Sequence, residues 1–197
     1  MLTLEEGTTL VKLARDTISA RLEQRQPLIP DAARQLNAKQ GVFVTLKKDE
    51  QLRGCIGYPE PTYPLFHAVM EAAKHASFDD PRFPPLQQDE LQDILIEMSV
   101  LTVPQRLKVN NPDDYLKKIK IGRDGLIIRA GMFSGLLLPQ VPTEYDWDVE
   151  TFLRHLCMKA GLSYEAWQNP DHQISTFQAQ IFTETHEGDV IEEKGDG

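Results

Sequence analysis

The chain has 197 residues and a formal net charge of −9. This length can bury a hydrophobic core without disulfides or metals, and the acidic charge argues against a nucleic-acid partner, whose phosphates attract clustered Lys and Arg. No apolar run approaches the roughly 18 residues of a membrane span, and the N-terminus lacks the order of charges and apolar residues that marks a signal peptide. The two cysteines, Cys55 and Cys157, have unlike contexts and indicate neither a disulfide nor a zinc site. These features predict a soluble, cytoplasmic protein.

The first half of the chain predicts a helix, a β-hairpin and a second helix. A capping-box pattern at residues 3–6 opens the first helix, which continues at helical spacing to Leu22. Strands over residues 42–46 and 52–58 flank the polar turn 48–50, which predicts a hairpin. Prolines then end the second strand and lead into a helix of about three turns.

One stripe of that second helix carries His67, Glu71 and His75, spaced four residues apart. Neighbours at this spacing share a helix face and offer ligands to a divalent metal. No fourth ligand accompanies them, so a solvated polar face is the interpretation we adopt, and no metal site is predicted.

The second half predicts strands, short helices and a tail. Its elements are a strand over 94–101, a short helix that begins at 110–114, a hairpin over 121–129 around the Asp124-Gly125 turn, a strand over 135–138, a helix from Asp148 to Gly161, and a final strand over 174–182. We assign residues 1–184 to one domain with two lobes and residues 185–197 to an acidic, flexible tail.

The strand that contains Cys55 has an unusual composition. Because strand side chains alternate, Arg53 and Cys55 share one face, while Gly54 and Gly57 mark a bulge or a close approach of another group. A neighbouring guanidinium favours the thiolate, and uncovered backbone N–H groups could steady an oxyanion or bind a carboxylate or phosphate. The structural alternative is that Cys55 is a small buried hydrophobe and the glycines only bend a strand.

Two further groups of polar residues are candidates for the same site. Glu97 and Ser99 lie on one face of the 94–101 strand, and a carboxylate amid apolar residues needs a partner. If the strands are neighbours, Arg53 is that partner and Glu97 lies near Cys55. In the proline-rich loop over 78–86, Asp80 and Arg82 either bind a polar ligand or tie down their own loop.

Several strings of residues support a resemblance by their identity and order. They are Val42-Phe43-Val44-Thr45-Leu46, Leu52-Arg53-Gly54-Cys55-Ile56-Gly57, Asp80-Pro81-Arg82-Phe83-Pro84-Pro85-Leu86, Ser99-Val100-Leu101-Thr102, Ile121-Gly122-Arg123-Asp124-Gly125, Leu136-Leu137-Leu138-Pro139-Gln140 and Cys157-Met158-Lys159-Ala160-Gly161-Leu162. Together they closely resemble the AMMECR domain family, in order from about Leu10 to Glu184. The string around Cys55 is the family's signature and is matched without departure.

The resemblance implies an α+β fold with a larger lobe, built on an antiparallel β-sheet flanked by helices, and a smaller lobe. Microbial members look like protein A of the AmmeMemoRadiSam system, which implies Memo-like and radical S-adenosylmethionine proteins as partners. The family has no settled reaction, so the resemblance supplies neither a substrate nor a cofactor. It does favour a functional role for the Cys55 strand.

Two functions fit these observations. In the first, Cys55 is a nucleophile or group carrier, Arg53 stabilises its thiolate and Glu97 orients or shuttles protons, while Gly54, Gly57, Asp80, Arg82 and Ser99 line the ligand cleft. No histidine has a spacing that pairs it with Cys55. In the second, the same cleft is a non-catalytic module that binds a peptide or a partner protein. The sequence leaves open whether the protein is an enzyme.

Overall fold

The computed structural model describes residues 1–193 and shows an α+β protein. The helices are α1 (Leu4–Leu22), α2 (Asp31–Gln35), α3 (Leu65–Phe78), α4 (Asp113–Lys118), α5 (Gln140–Glu144) and α6 (Val149–Lys159). The strands are β1 (Val42–Lys48), β2 (Gln51–Tyr58), β3 (Ile94–Leu101), β4 (Gln105–Arg106), β5 (Gly125–Ala130), β6 (Phe133–Leu137), β7 (Gln173–Phe177), β8 (Ala179–Glu184) and β9 (Val190–Glu193). The strands form two sheets, and the predicted fold class is confirmed.

The larger unit comprises residues 1–101 and the described residues from Gln180 onward. Its five-stranded sheet has the order β2-β1-β3-β8-β9, so β2 is an edge strand. The helix α1 begins with the predicted capping box, in which Thr3 and Glu6 satisfy each other's backbone N–H groups. Alternate residues of β1 and β3 join the apolar stripes of α1 and α3 in one buried cluster, so the core of this unit lies between the helices and one face of the sheet.

The smaller unit comprises residues 102–179 and has its own core. Its sheet has the order β4-β7-β5-β6. The N-cap of α6 is Asp148, as predicted, and its carboxylate accepts a hydrogen bond of 2.8 Å from the N–H of Thr151. The apolar stripe of α6, which includes Phe152 and Cys157, is fully buried. Burial raises the pKa of the Cys157 thiol to about 11, so this cysteine is a packing residue.

The hairpin predicted around Asp124-Gly125 is wrong. The hairpin of this region joins β5 to β6, with Ala130 paired to Phe133 and Gly131 in the left-handed conformation at φ +59°. The Asp124 carboxylate instead accepts hydrogen bonds from the Lys120 N–H and the Arg123 guanidinium. These bonds close a tight turn before β5, and the Asp-Gly dipeptide therefore lies at the start of a strand.

The final strand predicted over 174–182 is two strands that belong to different sheets. Gln178 separates β7 from β8, and its backbone N–H donates to the Thr102 hydroxyl at 2.8 Å. Buried apolar residues occur on both sides of the break, with Ile174 and Phe177 in β7 and Phe182 in β8. Periodicity alone does not reveal a change of sheet.

The acidic tail predicted over 185–197 is wrong in part. Residues 190–193 form β9, which pairs in antiparallel register with β8, and Val190 contributes to the core of the larger unit. The charged side chains of β9 lie on an exposed sheet edge, where they tend to prevent pairing with other chains. Residues 194–197 lie outside the described residues. Within residues 1–193, no helix has the length and apolar character of a membrane crossing.

Candidate thiol site on the larger sheet

The edge strand β2 is held on one side by β1 and is bulged at Arg53. Leu46 pairs with Gly54, but the next residue of β1, Lys47, pairs with Leu52. Arg53 is therefore the extra residue of a β-bulge, the irregularity that the neighbouring glycine indicated. The bulge turns the Arg53 side chain away from the regular alternation of the strand.

Cys55 lies in the middle of β2, directly opposite Thr45 of β1. The Thr45 hydroxyl donates a hydrogen bond of 3.3 Å to the Cys55 sulfur, and the thiol is only half-buried. The neighbouring residue Gly54 faces α3, so Cys55 points to the sheet face that α3 does not cover. A hydroxyl donor and partial exposure are both features of a sulfur that reacts or binds.

The two glycines of the signature string have packing roles. A Cβ atom at Gly54 would lie 2.1 Å from the Ala76 carbonyl oxygen, so α3 can approach β2 only at a glycine. A Cβ atom at Gly57 would lie 2.3 Å from the Phe43 ring, which occupies that space. Sequence reasoning assigned both residues to the ligand cleft, whereas the structure uses each for a close contact.

Asp80 and Arg82 bind the free edge of β2 at Cys55. The Cys55 N–H donates to the Asp80 carboxylate at 2.9 Å, and the Cys55 carbonyl accepts from the Arg82 guanidinium at 3.1 Å. Two further hydrogen bonds, of 2.7 and 3.0 Å, join that guanidinium to the Asp80 carboxylate. We call these two residues the edge clamp, since they satisfy both backbone groups of Cys55 that have no neighbouring strand.

The edge clamp is also a charged site. Hydrogen bonds from Arg82 hold the pKa of Asp80 well below its usual range despite the burial of the carboxylate, and the N–H groups of Cys55 and Arg82 add to this effect. The pKa of Arg82 is raised, mainly by Asp80, and the Cys55 side chain acts in the same direction. The Arg82 side chain is 52% exposed, so solvent reaches this charged pair.

Arg53 has a different partner from the predicted one. Its guanidinium donates two hydrogen bonds, of 2.9 and 3.0 Å, to the Glu90 carboxylate, and these bonds lower the pKa of Glu90 to about 2 in spite of burial. The predicted pair of Arg53 with Glu97 is absent from the described residues because β1 lies between β2 and β3. Arg53 is thus compensated by Glu90, and Arg82 is the cation beside the Cys55 backbone.

Glu97 lies one strand away from Cys55. Thr45 pairs with Cys55 on one side and with Glu97 on the other, so the α-carbons of Cys55 and Glu97 are about 10 Å apart. The Glu97 carboxylate accepts a hydrogen bond of 2.6 Å from Lys47. Burial opposes the charge of Lys47, but Glu97 raises the pKa of Lys47 overall. The row Cys55, Thr45 and Glu97 places a thiol, a hydroxyl and a carboxylate on one sheet face.

The other residues singled out in the sequence lie on β3 and α3. Ser99 is buried on β3, opposite Phe43, two residues along the strand from Glu97. His75 accepts or donates a 2.7 Å hydrogen bond with the Tyr58 hydroxyl, and the His67 ring lies 5.5 Å from the Tyr63 ring. Both histidines belong to α3, on the opposite face of β2 from Cys55. Among residues 1–193, no three His, Cys, Asp or Glu side chains are arranged to hold a metal ion.

Sequence reasoning missed Thr45 and Glu90. Thr45 is in the predicted hairpin, but a count outward from the 48–50 turn places it opposite Arg53. The observed turn is shorter, since Lys48 pairs with Gln51, and the bulge at Arg53 shifts the register by one more residue, which brings Thr45 opposite Cys55. Glu90 carries no sequence signal of its role, because it lies in a short 3₁₀ turn, Gln88–Glu90, that is remote in sequence from Arg53.

Known proteins are similar to this chain over nearly its whole length. The AMMECR1 family model matches residues 11–182. Protein MJ0810 of Methanocaldococcus jannaschii is 52% identical, over 98% of this chain and 98% of that protein, and Protein MK0488 of Methanopyrus kandleri is 53% identical, over 97% and 95%. The crystal structure of the uncharacterized protein PH0010 from Pyrococcus horikoshii is similar, with a TM-score of 0.89, 43% identity and 98% coverage of both chains. The chain therefore belongs to the AMMECR1 family.

Proposed function

We propose that this AMMECR1-family protein acts through the Cys55 thiol, in a ligand or catalytic cleft around the Leu-Arg-Gly-Cys-Ile-Gly strand. We place it in the cytoplasm, as a component of a modification system with Memo-like and radical S-adenosylmethionine proteins. These partners rest on the family resemblance alone. The observation that carries the thiol proposal is the edge clamp, which fixes the Cys55 backbone and sets a guanidinium beside a half-buried sulfur.

The proposed roles follow from the contacts. Cys55 is the nucleophile or group carrier, with the Thr45 hydroxyl donating to its sulfur and the Arg82 guanidinium bound to its carbonyl. Asp80 is a positioning residue, since it holds both the Cys55 N–H and the Arg82 side chain. Because Arg82 is half-exposed, it is also available to an anionic group of the substrate.

Arg53 and Glu97 take supporting roles in this proposal. Arg53 joins β2 to Glu90, and Glu97 is held by Lys47. Glu97 is too far across the sheet to orient the thiol directly, but it shares the sheet face on which a bound molecule would lie. Ser99, Gly54 and Gly57 shape the strands that support this face.

A non-catalytic binding module is the second candidate. The observation that favours it is the edge position of β2, because a partner chain can extend an exposed sheet edge by main-chain hydrogen bonds. The edge clamp already occupies the Cys55 backbone groups, which restricts such pairing to the rest of the strand.

The first experiment measures the alkylation rate of each cysteine by iodoacetamide, resolved by peptide mass spectrometry, over a range of pH. We expect Cys55 to be labelled in the folded protein and Cys157 only after denaturation, because Cys157 is fully buried. We expect Arg82→Gln to slow native labelling of Cys55 at neutral pH about three- to tenfold, the effect of removing a half-exposed cation near a thiolate.

The matched control is Arg123→Gln. Arg123 makes the same two-bond pair with Asp124 in the smaller unit, so its loss removes one charge of the same kind without touching the edge clamp. Labelling of Cys55 only after denaturation, or equal slowing by the two variants, would contradict the thiol proposal. A binding module would then be favoured, and Cys55→Ser should leave capture of the partner proteins unchanged.

A further inference from the structure

A cleft in the smaller unit is separate from the thiol site. It has a volume of about 480 Å³, within the range of small-molecule sites, and lies between residues 106–115 and residues 167–172. Every residue that lines it belongs to the smaller unit. The proposed function assigns no role to these residues.

A residue that lines this cleft carries a buried hydrogen-bond donor without an acceptor in the described part of the chain. Trp167 is one of its walls and is only 3% exposed, yet its indole N–H has no acceptor among residues 1–193. A buried N–H without a partner is costly, so native proteins rarely keep one without a reason. An acceptor atom of a bound molecule would satisfy it.

The charge of the cleft is opposite to that of the whole chain. Among the described residues that line it, Arg106 and Lys108 are basic and none is acidic, although the chain carries a formal charge of −9. The positive charge of Arg106 acts on a residue that lines the cleft. Burial raises the pKa of Tyr115, and Arg106 lowers it in part. The cleft is thus suited to an anion.

Both walls are fixed before any ligand binds. On one side, Arg106 pairs with Ser175 through the β4–β7 ladder, and the Leu107 N–H donates to the Ile174 carbonyl at 2.9 Å. On the other, a hydrogen bond of 2.7 Å joins His172 Nδ1 to the Ala166 carbonyl, which requires that this nitrogen carry the proton. His172 Nε2 then accepts from the Asn169 amide at 3.4 Å. Such preorganised walls reduce the entropy lost on binding.

We propose that this cleft binds a small organic anion, a phosphate or a carboxylate on a body rich in hydrogen-bond acceptors. The anionic group faces Arg106 and Lys108, and an acceptor atom receives the Trp167 indole N–H. Phosphate and carboxylate share the chemistry that these donors recognise, so the test contains one probe of each kind.

The test follows the indole N–H signals in a ¹H–¹⁵N spectrum of the full chain. The two tryptophans provide their own comparison, because Trp167 lines the cleft whereas Trp147 stacks on His155. The probes are adenosine 5′-monophosphate, citrate and uncharged adenosine. We expect at least one of the two anions to shift the Trp167 signal saturably, with the Trp147 signal unchanged and adenosine much weaker.

Surface variants keep this test independent of folding. The Arg106 and Lys108 side chains are charged and Arg106 is exposed, so the Arg106→Gln, Lys108→Gln double variant should fold. We expect it to lower the affinity for the anion about tenfold or more. Lys120→Gln, an exposed basic residue of the same unit outside the cleft, should not. The proposal would be overturned if neither anion moved the Trp167 signal at concentrations up to about 10 mM. It would also be overturned if adenosine shifted this signal as much as the anions do, or if the double variant bound the anion as tightly as the parent.

Discussion

At the scale of single residues, Asp80 gives the edge strand a partner that a neighbouring strand would otherwise supply. Its carboxylate accepts from the Cys55 N–H and from both the backbone and the side chain of Arg82. It is 4% exposed, so its oxygens have exchanged water for these four donors almost completely. These donors stabilise the ionised form of the Asp80 carboxylate, and the protonated form loses that stabilisation.

The pH dependence of folding follows from Asp80 and Glu90. Both have a folded-state pKa below the unfolded values of about 4, so the unfolded chain binds more protons as the pH falls. Their contribution to the free energy of unfolding is complete at a pH above the unfolded-state pKa values. It is lost as the pH falls through the folded-state pKa values. We expect Asp80→Asn to lower stability at pH 7 by about 1–3 kcal/mol and to flatten the decline below pH about 5, measured by urea unfolding.

The control for this prediction is Asp79→Asn. Asp79 precedes Asp80, but its side chain is 63% exposed, and 3.9 Å separate its carboxylate from the His75 ring. We expect this variant to follow the parent within about 0.5 kcal/mol at each pH. A profile of Asp80→Asn parallel to that of the parent would show that the carboxylate does not stabilise the fold through its charge.

The sequence predicted much of this site by composition and little of it by pairing. Arg53, Cys55 and the two glycines were recognised because a thiol and glycines inside a strand are unusual. The predicted pair of Arg53 and Glu97 is wrong because β1 lies between β2 and β3, the strands that carry these two residues. Strand order is set by contacts across the sheet, and the pattern along one strand does not contain it. Both alternatives for the Asp80 loop assumed that it acts on a ligand or on itself, whereas it also binds the neighbouring strand.

At the scale of elements, β2 depends on close contacts at both faces. The C-terminal part of α3 rests on Gly54 through the Ala76 carbonyl, and the Phe43 ring rests on Gly57. The position of the Cys55 strand is therefore set by two contacts that tolerate no side chain. This explains why a strand with two stability-lowering glycines has a fixed place in the sheet.

Gly54→Ala should displace α3 from β2. The new methyl group would meet a backbone oxygen at 2.1 Å, and a backbone atom cannot move aside as a side chain does. We expect a loss of about 3 kcal/mol, measured by urea unfolding, together with faster alkylation of Cys55 because the strand is held less firmly.

Gly188→Ala provides the comparison. This glycine has φ +87° and nothing lies near its Cβ position, so the cost is limited to backbone strain of about 1–2 kcal/mol. Equal losses for the two variants would show that the contact with Ala76 has no special effect.

Element types and positions followed from periodicity where an element was long and amphipathic. The helices α1 and α6 and the strand β3 were predicted close to their observed bounds. The failures lie where local chemistry is used in an unexpected way. The Asp124 carboxylate binds the preceding turn, and at Gln178 the chain passes from one sheet to the other although buried apolar residues lie on both sides of it.

At the scale of the whole molecule, residues 1–193 contain two hydrophobic cores that share no residue. The core of the smaller unit is built entirely from residues within 102–179. Both tryptophans of the chain belong to this unit. Tryptophan fluorescence therefore reports on the smaller unit, while far-ultraviolet circular dichroism reports on all helices and strands.

We expect residues 102–179 to fold when expressed alone. The fragment keeps its whole core, and a core of this size supplies at most about 3–5 kcal/mol of stability. The measurement is the urea transition of tryptophan fluorescence, which should be cooperative. Phe152→Ala, which removes a fully buried ring at a cost of about 3–5 kcal/mol, should abolish that transition. A fragment without a cooperative transition would contradict independent folding.

The strand order of the larger sheet has a consequence for synthesis on the ribosome. The neighbours β3 and β8 are separated in sequence by the whole of residues 102–179. The smaller unit is consequently complete in the growing chain before β8 and β9 exist, so the usual order, in which the N-terminal unit folds first, is reversed. Until then β3 has a free edge beside an incomplete core, and the nascent larger unit is the part of this protein that a chaperone would need to protect.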